Sequence, residues 1–327
     1  MGHHVRAMLF TLAGALVLMR AAGAAETAPR MLLLDAAVIG TEIIAVGERG
    51  AILRSADSGK TWQATPPVTA AALTGVSFAA DGKQGWAVGH DALILGTTDA
   101  GRTWRKQWQG DNLADSFLDV LALDANRAIA VGAFNLCLVT EDGGKTWTRR
   151  PVLDSDYHLN RLSRGPTGTL YLAGEHGTLL RSENRGATWI PIASPYDGSF
   201  YGILPLDAHT LLAYGLRGRF YRSADNGRSW QIVPNERRVL IATAVKLKRG
   251  TIVAAGQART LFESPDEAKT VASGPSGQAT AIAELLEAPN GSLLGFGEAG
   301  VSTIETGRTS PELFLPENPP TPGAAAP

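Results

Sequence analysis

A glycine that returns seven times at a nearly constant interval constrains this chain more than any other feature. It appears in AVGERG, AVGHDA, AVGAFN, LAGEHG, AYGLRG, AAGQAR and GFGEAG. The glycines are Gly47, Gly89, Gly132, Gly174, Gly215, Gly256 and Gly297, in steps of 42, 43, 42, 41, 41 and 41 residues. A period of roughly 40–45 residues belongs to a propeller blade, one small sheet per repeat that buries its faces only by stacking on its neighbours. The expected fold is therefore all-β: a seven-bladed β-propeller of four-stranded antiparallel blades.

The second repeat divides where the chain supplies punctuation. Strands are expected over Thr74–Phe78, Gly85–Val88 and Ala92–Thr97, with a fourth beginning near Thr103. Asp81-Gly82 turns the chain between the first two, as Pro166-Thr167-Gly168 and Pro289-Asn290-Gly291 do in later repeats. Small residues recur in the second strand (Ala45, Ala87, Ala130, Ala173, Ala213, Ala254), which suits sheets that pack closely near an axis.

Between the third and fourth strands lies a second motif, the Asp box: SADSGKTW, TTDAGRTW, TEDGGKTW, SENRGATW and SADNGRSW. Its acid or amide (Asp57, Asp99, Asp142, Asn184, Asp225) can accept hydrogen bonds from the turn's own N–H groups. Its glycine (Gly59, Gly101, Gly144, Gly186, Gly227) supplies a positive φ without steric cost. Its tryptophan (Trp62, Trp104, Trp147, Trp189, Trp230) is expected to lie in the fourth strand and cover the hairpin. Five of the chain's seven tryptophans hold this one position, so they read as structural staples rather than a stacking platform for ligands. The sixth repeat keeps a remnant, SPDEAKTV, with Ala268 for the glycine and Val271 for the tryptophan. The seventh has lost the motif, so the last two blades are expected to be the less rigid.

The ends of the chain read differently. Residues 1–25 carry Arg6, an apolar run from Met8 to Met19 and small residues Ala22-Gly23-Ala24, the pattern of a cleaved export signal. The run is short of the ~20 residues that a membrane span needs, which disfavours a permanent anchor. A periplasmic location is expected, with the propeller over 26–315 and a disordered Pro/Ala-rich tail over 316–327. Thirty basic against 31 acidic residues argue against a general nucleic-acid binder. The lone Cys137 sits in LCLVT and reads as a small buried hydrophobe.

Little in the sequence points to catalysis. His90, His158, His176 and His209 are scattered without metal-ligand spacing, so no metal and no cofactor are expected. Asp154 and Asp156 beside Tyr157-His158 read as a solvated inter-blade loop. Asp boxes also occur in sialidases, whose chemistry needs an arginine cluster and a tyrosine nucleophile. Arg49, Arg217, Arg238, Tyr157 and Tyr201 could imitate that set, but the opening Phe/Tyr-Arg-Ile-Pro segment is missing, and the repeats number seven rather than six.

The run GWAVGHDALILGTTDAGRTW, Gly85 to Trp104, resembles the photosystem II stability/assembly factor family, and the resemblance extends over roughly Leu32 to Leu315. It implies a seven-bladed, non-enzymatic propeller on the lumenal or periplasmic side of a membrane, monomeric, that holds a membrane-protein client and touches the membrane only peripherally. Similar proteins occur in bacteria that do not photosynthesise, so the client need not be a photosystem. The alternative is a carbohydrate-binding module, or a sialidase-like hydrolase, of the cell envelope. The family's recognition surface carries an arginine-rich patch, whose counterpart in kind here is Arg217, Arg219, Arg237 and Arg238. In a blade, the second-to-third loop and the link to the next blade emerge on one face. That face is expected to bind the client through Arg217, Arg237, Arg238, Phe200 and Tyr201, with Tyr157, His158, Arg49 and His176 beside them.

Overall fold

The computed structural model describes residues 30–274 and 280–307, so the expected export signal and carboxy-terminal tail lie outside the described residues. Seven antiparallel sheets are present, each a simple up-and-down meander. Blades 1 to 6 (33–64, 73–109, 117–149, 159–191, 200–232 and 241–273) have four strands. Blade 7 has three among the described residues, ending with Gly300–Ile304. The only helical segments described are two three-residue 3-10 turns, Glu48–Gly50 and Leu216–Gly218. In blade 2 the strands are Leu73–Phe78, Gly85–Gly89, Leu93–Thr97 and Arg105–Gln109, so the fourth starts two residues later than the sequence suggests.

The repeat glycine is needed for a contact rather than a turn. In every blade the inner strand is bulged near its start, where the pairing with the second strand shifts register. The bulge presses the carbonyl before the inner strand against the glycine. A Cβ on Gly47, Gly89, Gly132, Gly174, Gly215, Gly256 or Gly297 would lie 2.0–2.5 Å from that carbonyl oxygen. The residue after each glycine then donates its N–H to the same carbonyl at 2.9–3.4 Å, from Glu48 to Leu32 in blade 1 through Glu298 to Ala281 in blade 7. Only a residue without a side chain lets the two backbones meet this closely.

The core is divided among the seams between blades. Seven clusters each join two neighbours, and one of them, containing Leu33, Trp62, Leu294 and Phe296, joins blade 7 to blade 1 and closes the ring. The Asp-box tryptophans precede the fourth strand; Trp62 and Trp104 donate to their own turns, at Gly59 O (3.0 Å) and Gly101 O (3.1 Å), and the set also fastens each blade to the one before it. Trp62 meets Phe296 of blade 7 edge to face at 6.0 Å, and Trp147 meets Trp86 of blade 2 at 6.4 Å. Trp62, Trp104 and Trp147 are buried, whereas Trp189 and Trp230 are half-buried.

The Asp box is a closed hydrogen-bond circuit. In blade 1, Ser55 Oγ donates to Asp57 Oδ1 at 2.9 Å and accepts from Gly59 N at 2.8 Å. Asp57 accepts from Thr61 N at 2.9 Å and Thr61 Oγ1 at 2.6 Å, and these bonds, the hydroxyl first, hold its carboxyl down to about 2. The sixth blade departs from the expected decay. Ser264, Asp266, Ala268 and Thr270 make the same four bonds at 2.8–3.0 Å, with Ala268 accepting φ +60° in the glycine's place. The turn thus depends on its Ser, Asp and Thr side chains more than on its glycine or tryptophan.

Gly89→Ala is expected to destabilise by ~3 kcal/mol, because its Cβ strikes backbone. Gly168→Ala, where φ is +88° but nothing lies within 4 Å, should cost roughly 1–2 kcal/mol. Urea unfolding of both variants checks the difference. Trp104→Ala, at a residue 8% exposed, should cost ~3–5 kcal/mol, and half-buried Trp108 clearly less. Equal midpoints for the two tryptophan variants would contradict the seam role.

Candidate binding face

The face that carries the second-to-third loops and the inter-blade links is fixed by backbone bonds. In blades 2 to 5 the loop is tied down to the link that follows it. Ala92 N donates to Asp115 O, Asn135 N to Tyr157 O and Gly177 N to Gly198 O, each at 2.8 Å, and Gly218 N to Val239 O at 2.5 Å. Asn235 organises the last of these. Its amide nitrogen donates to Gly218 O at 2.6 Å and its oxygen accepts from Arg237 N at 2.9 Å. These bonds bring the Arg237-Arg238 link beside Arg217, which sits at φ +57° in the Leu216–Gly218 turn.

Arg217, Arg219, Arg237 and Arg238 line one pocket of about 270 Å3, with Ile232, Val233 and Pro234 as its apolar wall. Arg217 also borders an adjoining pocket of about 370 Å3 with His176, Tyr196 and Asp197. Arg217, Arg237 and Arg238 are exposed, and among the described residues their side chains make no ion pair or hydrogen bond. Arg219 lies over the Tyr196 ring at 5.9 Å. Towards blade 3 the face turns aromatic. Tyr157 stacks on His176 at 4.4 Å, and exposed Phe134 meets His158 edge to face at 4.8 Å. His158 Nδ1 lies 3.5 Å from Glu175.

Some sequence-based candidates fall elsewhere. Phe200 is 0% exposed and packs against Tyr196 and Tyr221, so it is core and unavailable to a partner. Phe117 is buried for the same reason: the first residue of every inner strand points into a seam. Tyr201, one residue on, occupies the bulge and turns to the axis. Arg49 is exposed on the same face, but in blade 1, with blades 6 and 7 between it and Arg217. Arg49 therefore stands apart from Arg217 and Arg238. Cys137 is buried, which pushes its thiol up to about 12 and leaves it inert. Among the described residues no group of three His, Cys, Asp or Glu side chains could hold a metal ion.

Sequence reasoning missed the axis. The bulge residues Leu34, Thr74, Leu118, Asn160, Tyr201, Ala242 and Ala283 ring its mouth on this same face, around a cavity of about 210 Å3. The next residue of the inner strand is Asp35 in blade 1, Asp119 in blade 3, Arg161 in blade 4, Thr243 in blade 6 and Glu284 in blade 7. Arg161 Nη2 crosses the axis to Glu284 and lies 3.6 Å from Asp35. Asp35 Oδ2 accepts from Val76 N and Asp119 Oδ2 from Leu162 N, each at 2.7 Å, so each carboxylate also binds the next blade. Burial pushes Asp119 up to about 6 against the pull of Arg161 and its N–H donors. Burial, and then Glu284, hold Asp35 well above the usual carboxylate range. The signal was legible in LLDAAVI, FLDVLA, LNRLSR and IAELLE, where a charge recurs at the third position of the inner strand.

A seven-bladed Asp-box propeller with an arginine-lined pocket on one face and a charged axis has the form of a binding disc. The family described as "Photosynthesis system II assembly factor YCF48" matches residues 30–128 and 105–263, and the chain belongs to that family. The structure described as "YCF48 bound to D1 peptide" shares 22% identity at a TM-score of 0.70, over 85% of this chain and 94% of that one. YCF48 from Cyanidioschyzon merolae shares 20% at 0.69, over 85% and 97%. The WD40 propeller domain of Doa1, at 13% and 0.66 over 85% and 94%, marks how far the bare fold extends. No curated protein matches the chain.

The axial carboxylates predict an unusual pH dependence. A folded-state value of about 6 for Asp119, above its ordinary 3.8, means that folding favours the protonated acid. Its contribution to stability is full below pH ~4 and falls away as pH rises through 6, by ~3 kcal/mol. The box aspartates, held near 2, act in the opposite sense and only below pH ~4. Denaturant unfolding between pH 4 and 7 should show declining stability, and Asp119→Asn should flatten the slope. An unchanged slope in that variant would remove Asp119 as its source.

Proposed function

We propose that this protein is a non-enzymatic assembly factor of the periplasm, exported by its amino-terminal segment, which holds a segment of a membrane-protein client on the arginine-bearing face. The observation that carries this reading is the pocket of Arg217, Arg219, Arg237 and Arg238. Arg217, Arg237 and Arg238 sit there without a counter-charge, on loops fixed by backbone bonds. Arginine and aromatic side chains on a pre-ordered surface lose little freedom on binding, and they anchor protein interfaces more often than other residues do. Family membership supports the assembly role, and the YCF48 structure with a D1 peptide supports a polypeptide ligand. The client segment suited to this face has a carboxylate for the arginines and apolar or aromatic residues for Phe134, Tyr157 and His176. The protein acts as a monomer, touching the membrane through its client.

Pull-down from envelope extract compares wild type with an Arg217→Glu, Arg237→Glu, Arg238→Glu variant. The expected result is one or more membrane proteins retained by wild type, released by salt and lost from the variant. Identical recoveries would place the site elsewhere. Empty pull-downs beside a positive glycan array would favour an envelope carbohydrate.

A further inference from the structure

We propose that residues 312–315 (Glu-Leu-Phe-Leu), which lie outside the described residues, dock on the outer edge of Gly300–Ile304 as the fourth strand of blade 7 and so deliver the tail beyond them to the binding face. The inference is independent of the client reading. Among the described residues blade 7 stops at its third strand. The outer edge of such a strand is a template for pairing with other chains, and native proteins cover such edges. Thr303 is exposed, whereas the residue at its position in blades 1 to 6 (Arg54, Gly96, Val139, Arg181, Arg222, Glu263) is buried or half-buried. The length of chain that follows fits its own tail as the cover. In blades 1 to 6 the step from the last residue of the third strand to the first of the fourth is always eight residues, from Ser55 to Gln63 in blade 1 through Ser264 to Ala272 in blade 6. Eight residues on from Ile304 is Glu312.

The chain also leaves blade 7 on the course of a box turn, although Ile304, Thr306 and Arg308 stand where blade 1 has Ser55, Asp57 and Gly59. Gly307, three residues past the third strand, donates its N–H to Glu263 Oε1 of blade 6 at 3.0 Å. Glu267, three residues past the third strand of blade 6, accepts at its carbonyl from Arg222 Nε of blade 5 at 2.8 Å. Glu263 and Arg222 are each next to last in their third strands, so both turns lean on the blade before in the same way. Glu263 gives a separate sign that the chain continues along this path. It is 2% exposed, and its Oε2 has no hydrogen-bond partner among the described residues, whereas buried carboxylate oxygens are normally satisfied. Arg308, next in sequence after Gly307, carries the cation that this oxygen lacks. The residue types suit the edge. Phe314 holds the position that Ile192 has in blade 4 and Val233 in blade 5, both buried, whose N–H groups donate to Leu179 O and Phe220 O at 2.8 and 2.9 Å. Pro311 and Pro316 bracket the segment, and proline is tolerated at a sheet edge. The fourth strands of blades 1 to 6 lead into the links of the binding face, so the same register brings residues 316–327 to that face at the seam of blades 7 and 1.

Amide hydrogen exchange on the intact chain, read by mass spectrometry, tests the docking. In the wild type the amides of residues 312–315 are expected to exchange at least tenfold more slowly than a free peptide of the same sequence, at every protein concentration. Phe314→Asp, which sets a charge where Ile192 and Val233 are buried, should return them to the free-peptide rate. It should also speed exchange in Gly300–Ile304 at least tenfold and lower the Tm. Glu317→Lys, beyond the strand, should change none of these. Free-peptide exchange of residues 312–315 in the wild type would overturn the proposal, as would protection that Phe314→Asp leaves in place. Protection that grows with protein concentration would assign the edge to a second copy. Protection of Gly300–Ile304 gained only on adding envelope extract, with residues 312–315 still exchanging freely, would assign it to a partner, and either result would equally overturn the docking of this tail.

Discussion

The contact on which the rest of the structure depends is that between the repeat glycine and the carbonyl that opens each inner strand. The two backbones approach to a distance that no Cβ permits, and the bulge beside them sets where each strand side chain points. The first inner-strand residue enters a seam, the second rings the axial mouth, and the third meets its counterparts from the other blades. One steric condition, met seven times, therefore builds the packing between blades, the opening at the centre and the charged tier beneath it. It also anchors the second-to-third loops, because the N–H after each glycine binds the same carbonyl.

The fold was legible because its determinants are local and repeated. Glycine spacing, Asp boxes and turn dipeptides each specify conformation within a few residues, and repetition turns weak local signals into a strong one. The site was legible in part. Arg217, Arg237 and Arg238 come together because loop and link are consecutive features of the same blade. Phe200 and Tyr201 show the limit. They are neighbours in sequence, yet the bulge sends one into the core and the other to the axis. The axial charges were harder still, since Arg161 and Glu284 are 123 residues apart and meet only when the ring closes. The sixth Asp box errs in the other direction. Its consensus glycine and tryptophan are gone, but Ser264, Asp266 and Thr270 preserve the bonds that shape the turn.

Two kinds of polar chemistry share the disc and are stabilised in opposite ways. The box aspartates are solvated and surrounded by donors, which favours their charge. The axial carboxylates are buried and crowded by one another, which disfavours it. The first kind shapes turns on one face, and the second joins blades around the axis. Asp35 and Asp119 do both at the centre, binding the N–H of the next inner strand while facing the cavity.

A ring of wedges joined only at its seams resists compression but deforms readily into an oval, each seam acting as a shallow hinge. Such a distortion costs little packing at any one seam, so contacts between neighbours oppose it weakly. A tie across the diameter opposes it directly. Arg161 of blade 4 reaches over the axis to Glu284 of blade 7 and lies beside Asp35 of blade 1, so it links parts of the ring that share no seam. The charged axis thus acts as a spoke, joining blade 4 to blades 7 and 1 across the ring.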